Sequence, residues 1–322
     1  MSETRALGED LRVLENGAGW LPLGGDTLLR ITGRGHLGVL QRVVSQDVLS
    51  LQPGEGALAL LLAPKGQFRA IMAVFADGEQ SYLLAPPGRA LDLDRVLNTY
   101  LRLSRCTAEP APTAGMLAVV GARWREAVSA TGGAAPREKG WLITPGALWF
   151  GETLLGIQGA VAAAESPEAF AALPSALEAT GTRRVAEEAV ELARIRVGRP
   201  AWGAELTDTM LPPEVGIGDE AISYSKGCYV GQETIARMKT YGHPTRALVG
   251  LRQVGGISAA PVLPVPLTAA GEERARGSLT SWAWHPENGA VALGVVRREL
   301  TEAGTKLAGD GREFEVTSLP LW

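Results

Sequence analysis

Forty glycines and twenty prolines break this chain of 322 residues into short pieces. Such punctuation favours mixed α and β structure with many turns over a helical bundle. The pieces fall into a pattern. Leu28 to Thr32 reads as a strand, and Leu37, Leu40, Val44 and Val48 recur at helical spacing before Pro53-Gly54. Strand-like runs follow at Ala57 to Leu62, Phe68 to Phe75 and Ser81 to Ala85, separated by Pro64-Lys65-Gly66 and the hairpin signal Asp77-Gly78. A helix is expected from Leu91 to Leu103.

A similar order recurs. Leu117 to Val120 reads as a strand and Trp124 to Thr131 as a helix, then Trp141 to Thr144 and Leu154 to Ile157 as strands. Helices are expected over Pro167 to Ala179 and Val185 to Val197. Two halves of this kind, with antiparallel hairpins and helices alternating, are what ferredoxin-like α+β parts look like. Past Arg246 the helical period disappears. Ala247 to Leu251, Val262 to Leu267, Gly277 to Trp284, Ala290 to Val296 and Glu313 to Leu319 are short strands of a small antiparallel barrel or sandwich. At roughly 150 residues per domain the length suits two or three units. We divide the chain into an α/β part at 1–110, a second at 111–245 and a β-barrel at 246–322, with the segment Lys226 to Arg237 packing back on the first part.

The charge sum of 31 basic and 35 acidic residues, −4, argues against a non-specific nucleic-acid binder. No apolar run approaches the ~20 residues that span a bilayer, and the two cysteines cannot form a disulfide framework, so a cytoplasmic protein without a membrane partner is expected. His36, His243 and His285 are scattered, and no His stands at a metal spacing from Cys228, so no metal site is expected.

One segment concentrates chemistry: Lys226-Gly227-Cys228-Tyr229-Val230-Gly231-Gln232-Glu233, followed by Arg237. Two glycines bracket a cysteine and a tyrosine, so the backbone can turn tightly and approach a ligand. A helix starting near Gly231 would place Cys228 before its N-terminus and beside Lys226, and both features favour a thiolate. From Lys226 to Arg252 five basic residues (Lys226, Arg237, Lys239, Arg246, Arg252) accompany one acidic residue, Glu233, the most basic stretch of the chain. Taken alone, a cysteine is more often a small buried hydrophobe, which fits Cys106, and a basic cluster is more often a solvated helix face.

The segment resembles the signature of the YgfZ family of folate-binding proteins, relatives of the T-protein aminomethyltransferase of glycine cleavage. The similarity extends to Gly198-Arg199-Pro200, Leu211-Pro212-Pro213-Glu214-Val215-Gly216, Ser45-Gln46-Asp47-Val48 and Pro64-Lys65-Gly66-Gln67. The resemblance implies an α+β fold of two ferredoxin-like parts and a C-terminal antiparallel barrel in a cloverleaf around a central opening. It implies tetrahydrofolate or another reduced folate as ligand, and an auxiliary role in making or repairing iron–sulfur client enzymes, tRNA-modifying ones included. It implies Cys228 as the working residue and Lys226, Gly227, Tyr229, Gly231, Gln232, Glu233 and Arg237 as ligand contacts. Lys226 and Arg237 would attract the anionic glutamate tail.

The chain departs from the relatives in two places. Arg69 and Ala70 stand where aminomethyltransferases have an acidic pair, which argues against aminomethyl transfer. Arg196 stands where the family commonly has a glutamate that pairs with the pterin, and arginine has donors only. A tetrahydrofolate-dependent aminomethyltransferase is therefore the second reading, and an RNA-binding accessory factor resting on the basic stretch the third. Direct RNA binding is not expected.

Overall fold

The computed structural model describes residues 2–24, 28–86, 89–255 and 259–322. Helix α1 (Ser2–Asn16) and strand β1 (Gly19–Leu23) precede the first half. That half runs β2 (Leu28–Thr32), α2 (His36–Val43), β3 (Gly56–Leu62), β4 (Phe68–Ala76), β5 (Gln80–Leu84), α3 (Ala90–Leu101) and β6 (Thr107–Pro110). The second half runs β7 (Gly115–Val120), α4 (Trp124–Gly132), β8 (Trp141–Thr144), β9 (Ala147–Phe150), β10 (Gly159–Ala164), α5 (Pro167–Glu178) and the two-residue β11 (Arg183–Arg184), then α6 (Glu187–Val197). The first sheet has the order β3-β4-β5-β2-β6, and the second has β8-β9-β10-β7-β1 with β11 beyond. The orders correspond strand for strand, so the repeated pattern in the sequence is a repeated topology.

One correspondence crosses the halves. The place that β6 takes beside β2 is taken beside β7 by β1, which pairs antiparallel with it from Gly19↔Val120 to Leu23↔Met116. The chain therefore begins in the second sheet before building the first, and the cut at residue 110 does not separate the two parts.

β3, Gly-Ala-Leu-Ala-Leu-Leu-Leu, is apolar without alternation because both its faces are covered. Ala59 and Leu61 pack with Leu40 of α2 and Leu97 of α3, while Leu58, Leu60 and Leu62 pack with Leu206, Ile217, Tyr229 and Ile235. Each buried leucine contributes about 1.5–3 kcal/mol, which fixes the segment 206–235 onto the first sheet. That segment carries the short helix α7 (Gly218–Ala221) and α8 (Gln232–Tyr241).

The C-terminal strands β12 (Arg246–Val254), β13 (Val265–Ala269), β14 (Ala275–His285), β15 (Gly289–Arg297), β16 (Lys306–Gly309) and β17 (Arg312–Thr317) close into a barrel in the order β12-β15-β14-β13-β16-β17. It packs against α6 through Leu192 and Ile195 on Val291 and Leu293. Two local expectations change. The helix over Leu37 to Val48 ends at Val43, because Val44 is extended and bridges to Leu61. Leu154 to Ile157 is not a strand: Leu154 and Gly156 both have positive φ (53° and 80°), which turns the apolar run into a corner. The strands there are β9 and β10 instead.

Candidate functional site

Lys226 is buried, and its ammonium donates to three backbone carbonyls, those of Gln41 (2.6 Å), Val44 (2.7 Å) and Gln46 (2.9 Å). These belong to the end of α2 and the corner after it, where helical carbonyls lose their partners. Lys226 is thus a C-terminal cap reaching α2 across the chain. Burial pushes its pKa down to about 8, with the charge of Asp47 acting in the opposite sense. Ser45 completes the joint: its hydroxyl donates to the Ala221 carbonyl (2.6 Å) and accepts from the Leu60 amide (2.9 Å). The Gln46 side-chain amide donates to the Glu220 carbonyl (3.0 Å).

The rest of the motif continues this packing. Tyr229 is buried on the first sheet. Gly231 is left-handed (φ 83°), and a Cβ there would come within 2.5 Å of the Ala63 carbonyl oxygen, so only glycine lets α8 start against the β3–β4 turn. Gln232 accepts weakly from the Tyr229 amide (3.4 Å), and Glu233 pairs with Arg237 (2.7 Å) on the exposed face of α8. Gly227 and Cys228 are exposed.

The basic stretch is not a free cationic surface. Lys239 pairs with Asp219 (2.8 Å) and lies over Tyr224, and Arg246 makes a two-pronged pair with buried Glu214 (2.9 and 2.8 Å). Arg252 donates to the Leu321 carbonyl (2.9 Å). Each of the five cations has a partner: Arg237, Lys239 and Arg246 pair with carboxylates, and Lys226 and Arg252 donate to backbone carbonyls.

A cavity of about 580 Å³ lies where the two halves meet. Leu58 of β3 and Ile71 of β4 form one wall, and Val197, Arg199, Trp202, Leu206, Ile217 and Glu220 another. Glu138, Lys139, Glu152, Leu154 and Gly156 of the second half complete it. Among the described residues no barrel strand lines it. Neither do Lys226, Gly227, Cys228, Tyr229, Gly231, Gln232, Glu233, Arg237 and Arg196. The expected ligand contacts and the cavity are therefore different places, joined through α7, which carries Glu220 at the cavity and hydrogen-bonds to Ser45 and Gln46 behind it. The Lys226 ammonium, expected to attract an anionic tail, is held by the carbonyls of the α2 corner.

Arg196, at the end of α6, pairs with Glu15 (2.8 Å), donates to the Trp322 carbonyl (3.2 Å) and lies over the Trp322 ring. On β4, Arg69 is exposed and Ala70 faces the α2–α3 core, so the strand presents Ile71 to the cavity and no carboxylate.

Inside the cavity Glu220 binds both Lys139 (2.9 Å) and Arg199. Burial works to raise the Glu220 pKa, but hydrogen bonds and charge from Arg199 and Lys139 overcome it and hold it at about 2. Sequence reasoning missed this triad, which is built from three separated segments, and also the buried pair of Arg194 with Glu205 (3.2 Å) behind the cavity wall. The Arg194 stem packs under Gly156, where a Cβ would approach its Cγ to 2.5 Å.

The two cysteines differ in access. Cys106 is buried, its thiol contacts the Ser104 carbonyl (3.5 Å), and burial raises its pKa, whereas Cys228 is exposed. Alkylation of the native protein should modify Cys228 at least about tenfold faster than Cys106, and peptide mass spectrometry after a timed pulse would show it. Equal rates would contradict the assigned exposures.

No family model matches the chain. A chloroplastic protein of Arabidopsis thaliana named as a transferase is 32% identical over 157 residues, 48% of this chain. That alignment spans only 35% of the relative's own length. The tRNA-modifying protein YgfZ of Cronobacter sakazakii is 26% identical over 287 residues, covering 86% of this chain and 84% of that protein. Among solved structures, the glycine cleavage system aminomethyltransferase T of Bartonella henselae superposes with a TM-score of 0.83 at 18% identity, over 98% of this chain and 89% of that one. The chain is thus similar over most of its length to a protein named YgfZ, and it has the fold of the glycine cleavage aminomethyltransferase.

Proposed function

We propose that this protein binds a reduced folate in the cavity between its two α/β halves and acts as an auxiliary factor for iron–sulfur client enzymes, tRNA-modifying ones included. The observation that carries the folate reading is the cavity itself. Its volume lies in the range that holds a compact ligand, about 300–1,000 Å³, and its walls combine flat apolar surface with fixed charge. Trp202 with Leu58, Ile71 and Ile217 suits a heterocyclic ring, and the half-buried carboxylate of Glu152 suits its N–H donors. The residues present therefore fit a folate. When bound, a reduced folate supplies nitrogens that take up or release a one-carbon unit.

The chain's own contribution is to hold and shield that ligand. Arg69 and Ala70 supply no carboxylate and β4 presents Ile71 to the cavity, so the strand has no proton acceptor there, which favours binding over aminomethyl transfer. Cys228 is proposed as the working residue toward clients, supported by the exposure of its thiol. Among the described residues no helix is long and apolar enough to cross a membrane. Calorimetric titration with tetrahydrofolate and its formyl and methyl derivatives tests the reading. Saturable binding at one site per chain is expected, and the absence of binding by all three would overturn it.

A further inference from the structure

We propose that Glu152 is the residue through which the cavity reads the donor edge of a pterin, an inference that rests on the folate reading above. A 2-amino-4-oxo pterin presents a ring N–H and an amino N–H side by side, and a single carboxylate oxygen with both lone pairs open accepts from the two together. Three carboxylates line the cavity. Glu220 is engaged by Lys139 and Arg199. Glu138 is exposed, with no hydrogen bond that fixes its carboxylate among the described residues. Glu152 is half-buried and oriented: its Oε1 accepts from the amides of Thr153 (2.8 Å) and Leu154 (3.0 Å), and its Oε2 has no hydrogen-bond partner among the described residues.

The support under Glu152 is rigid. The Gly151 amide donates to the Gly140 carbonyl (2.8 Å) and the Lys139 amide to the Gly151 carbonyl (2.8 Å), which locks the two cavity turns together. A Cβ at Gly151 would meet the Arg137 carbonyl oxygen at 1.9 Å, so the contact admits glycine alone. Lys139 and Leu154, one on each turn, are two of the four non-glycine residues with positive φ among the described residues (55° and 53°). Backbone held in this region at a cavity is the kind of constraint that positions a functional group.

Glu152→Gln is a clean probe, because glutamine keeps an Oε1 for the two turn amides and replaces only the free oxygen with a donor. Calorimetry would compare the natural chain, E152Q and E138Q, each with tetrahydrofolate and with an analogue lacking the 2-amino group, alongside thermal melts. We expect E152Q to weaken tetrahydrofolate binding about tenfold or more at an unchanged melting temperature. We expect the natural chain, and not E152Q, to distinguish the two ligands. Full affinity in E152Q, retained discrimination in it, or the same loss in E138Q would overturn the assignment. If the natural chain binds neither ligand, the folate reading falls first and takes this inference with it.

Discussion

Glu205→Ala is expected to lower the free energy of unfolding by about 3–5 kcal/mol. Glu205 is fully buried, and its two oxygens accept from Thr280 (2.7 Å), Ser281 (2.6 Å), the Ala201 amide (3.0 Å) and Arg194 (3.2 Å). Arg194, 2% exposed, reaches Ser281 (2.6 Å), the Arg199 carbonyl and Glu191 as well. The network joins α6 to β14 of the barrel and to the chain entering the cavity wall. Removing the carboxylate leaves a guanidinium with half its neutralisation, the buried Ser281 hydroxyl without its acceptor and Thr280 with only the longer bond to the Leu293 carbonyl (3.2 Å). Urea unfolding would measure the loss. An Arg194→Met/Glu205→Leu pair should recover much of it, because apolar replacement of both charges also removes their desolvation cost. A change below about 1 kcal/mol for Glu205→Ala would mean that the network does not hold the barrel.

The second large effect is expected at Lys226. Lys226→Met keeps the buried stem and deletes the donor to three carbonyls, which should cost about 2–4 kcal/mol. The folded pKa of about 8 lies below the ordinary 10.5, so the folded state gives up the proton more readily than the unfolded chain. Stability assigned to this group therefore rises with pH between about 8 and 10.5 and is flat below that window. Unfolding curves of the natural chain and of Lys226→Met, taken across pH 7 to 11, should differ in slope through that window. Parallel curves and a small loss would show that the three carbonyls are satisfied by water.

The first half of the fold is legible because its signals are local. α2 repeats its apolar residues at helical spacing, β3 and β4 are uninterrupted apolar runs, and Asp77-Gly78 turns β4 into β5. The missed elements carry no such signal. β1, Gly-Trp-Leu-Pro-Leu, is short and contains proline, and its partner β7 lies about a hundred residues away in the chain. β10, Gly-Ala-Val-Ala-Ala-Ala, has one β-branched residue and owes its extended form to pairing with β7 and β9. The site divides the same way. The Lys226–Glu233 motif stands out as text because so many of its residues serve one crowded joint, where Gly231 clears a carbonyl and Lys226 caps a helix. The cavity gathers Leu58, Ile71, Lys139, Glu152, Arg199, Trp202 and Glu220 from distant segments, and nothing in their spacing announces a common wall. Arg246 reads as surface charge until the fold brings Glu214 to it.

The most direct measurement is calorimetric titration of tetrahydrofolate into three proteins: the natural chain, Trp202→Ala and Cys228→Ser, each confirmed folded by its melting curve. If the ligand occupies the cavity, Trp202→Ala loses about tenfold or more in affinity while Cys228→Ser binds as the natural chain does. Unchanged binding in Trp202→Ala together with loss in Cys228→Ser would place the folate at the motif instead, and would contradict the account.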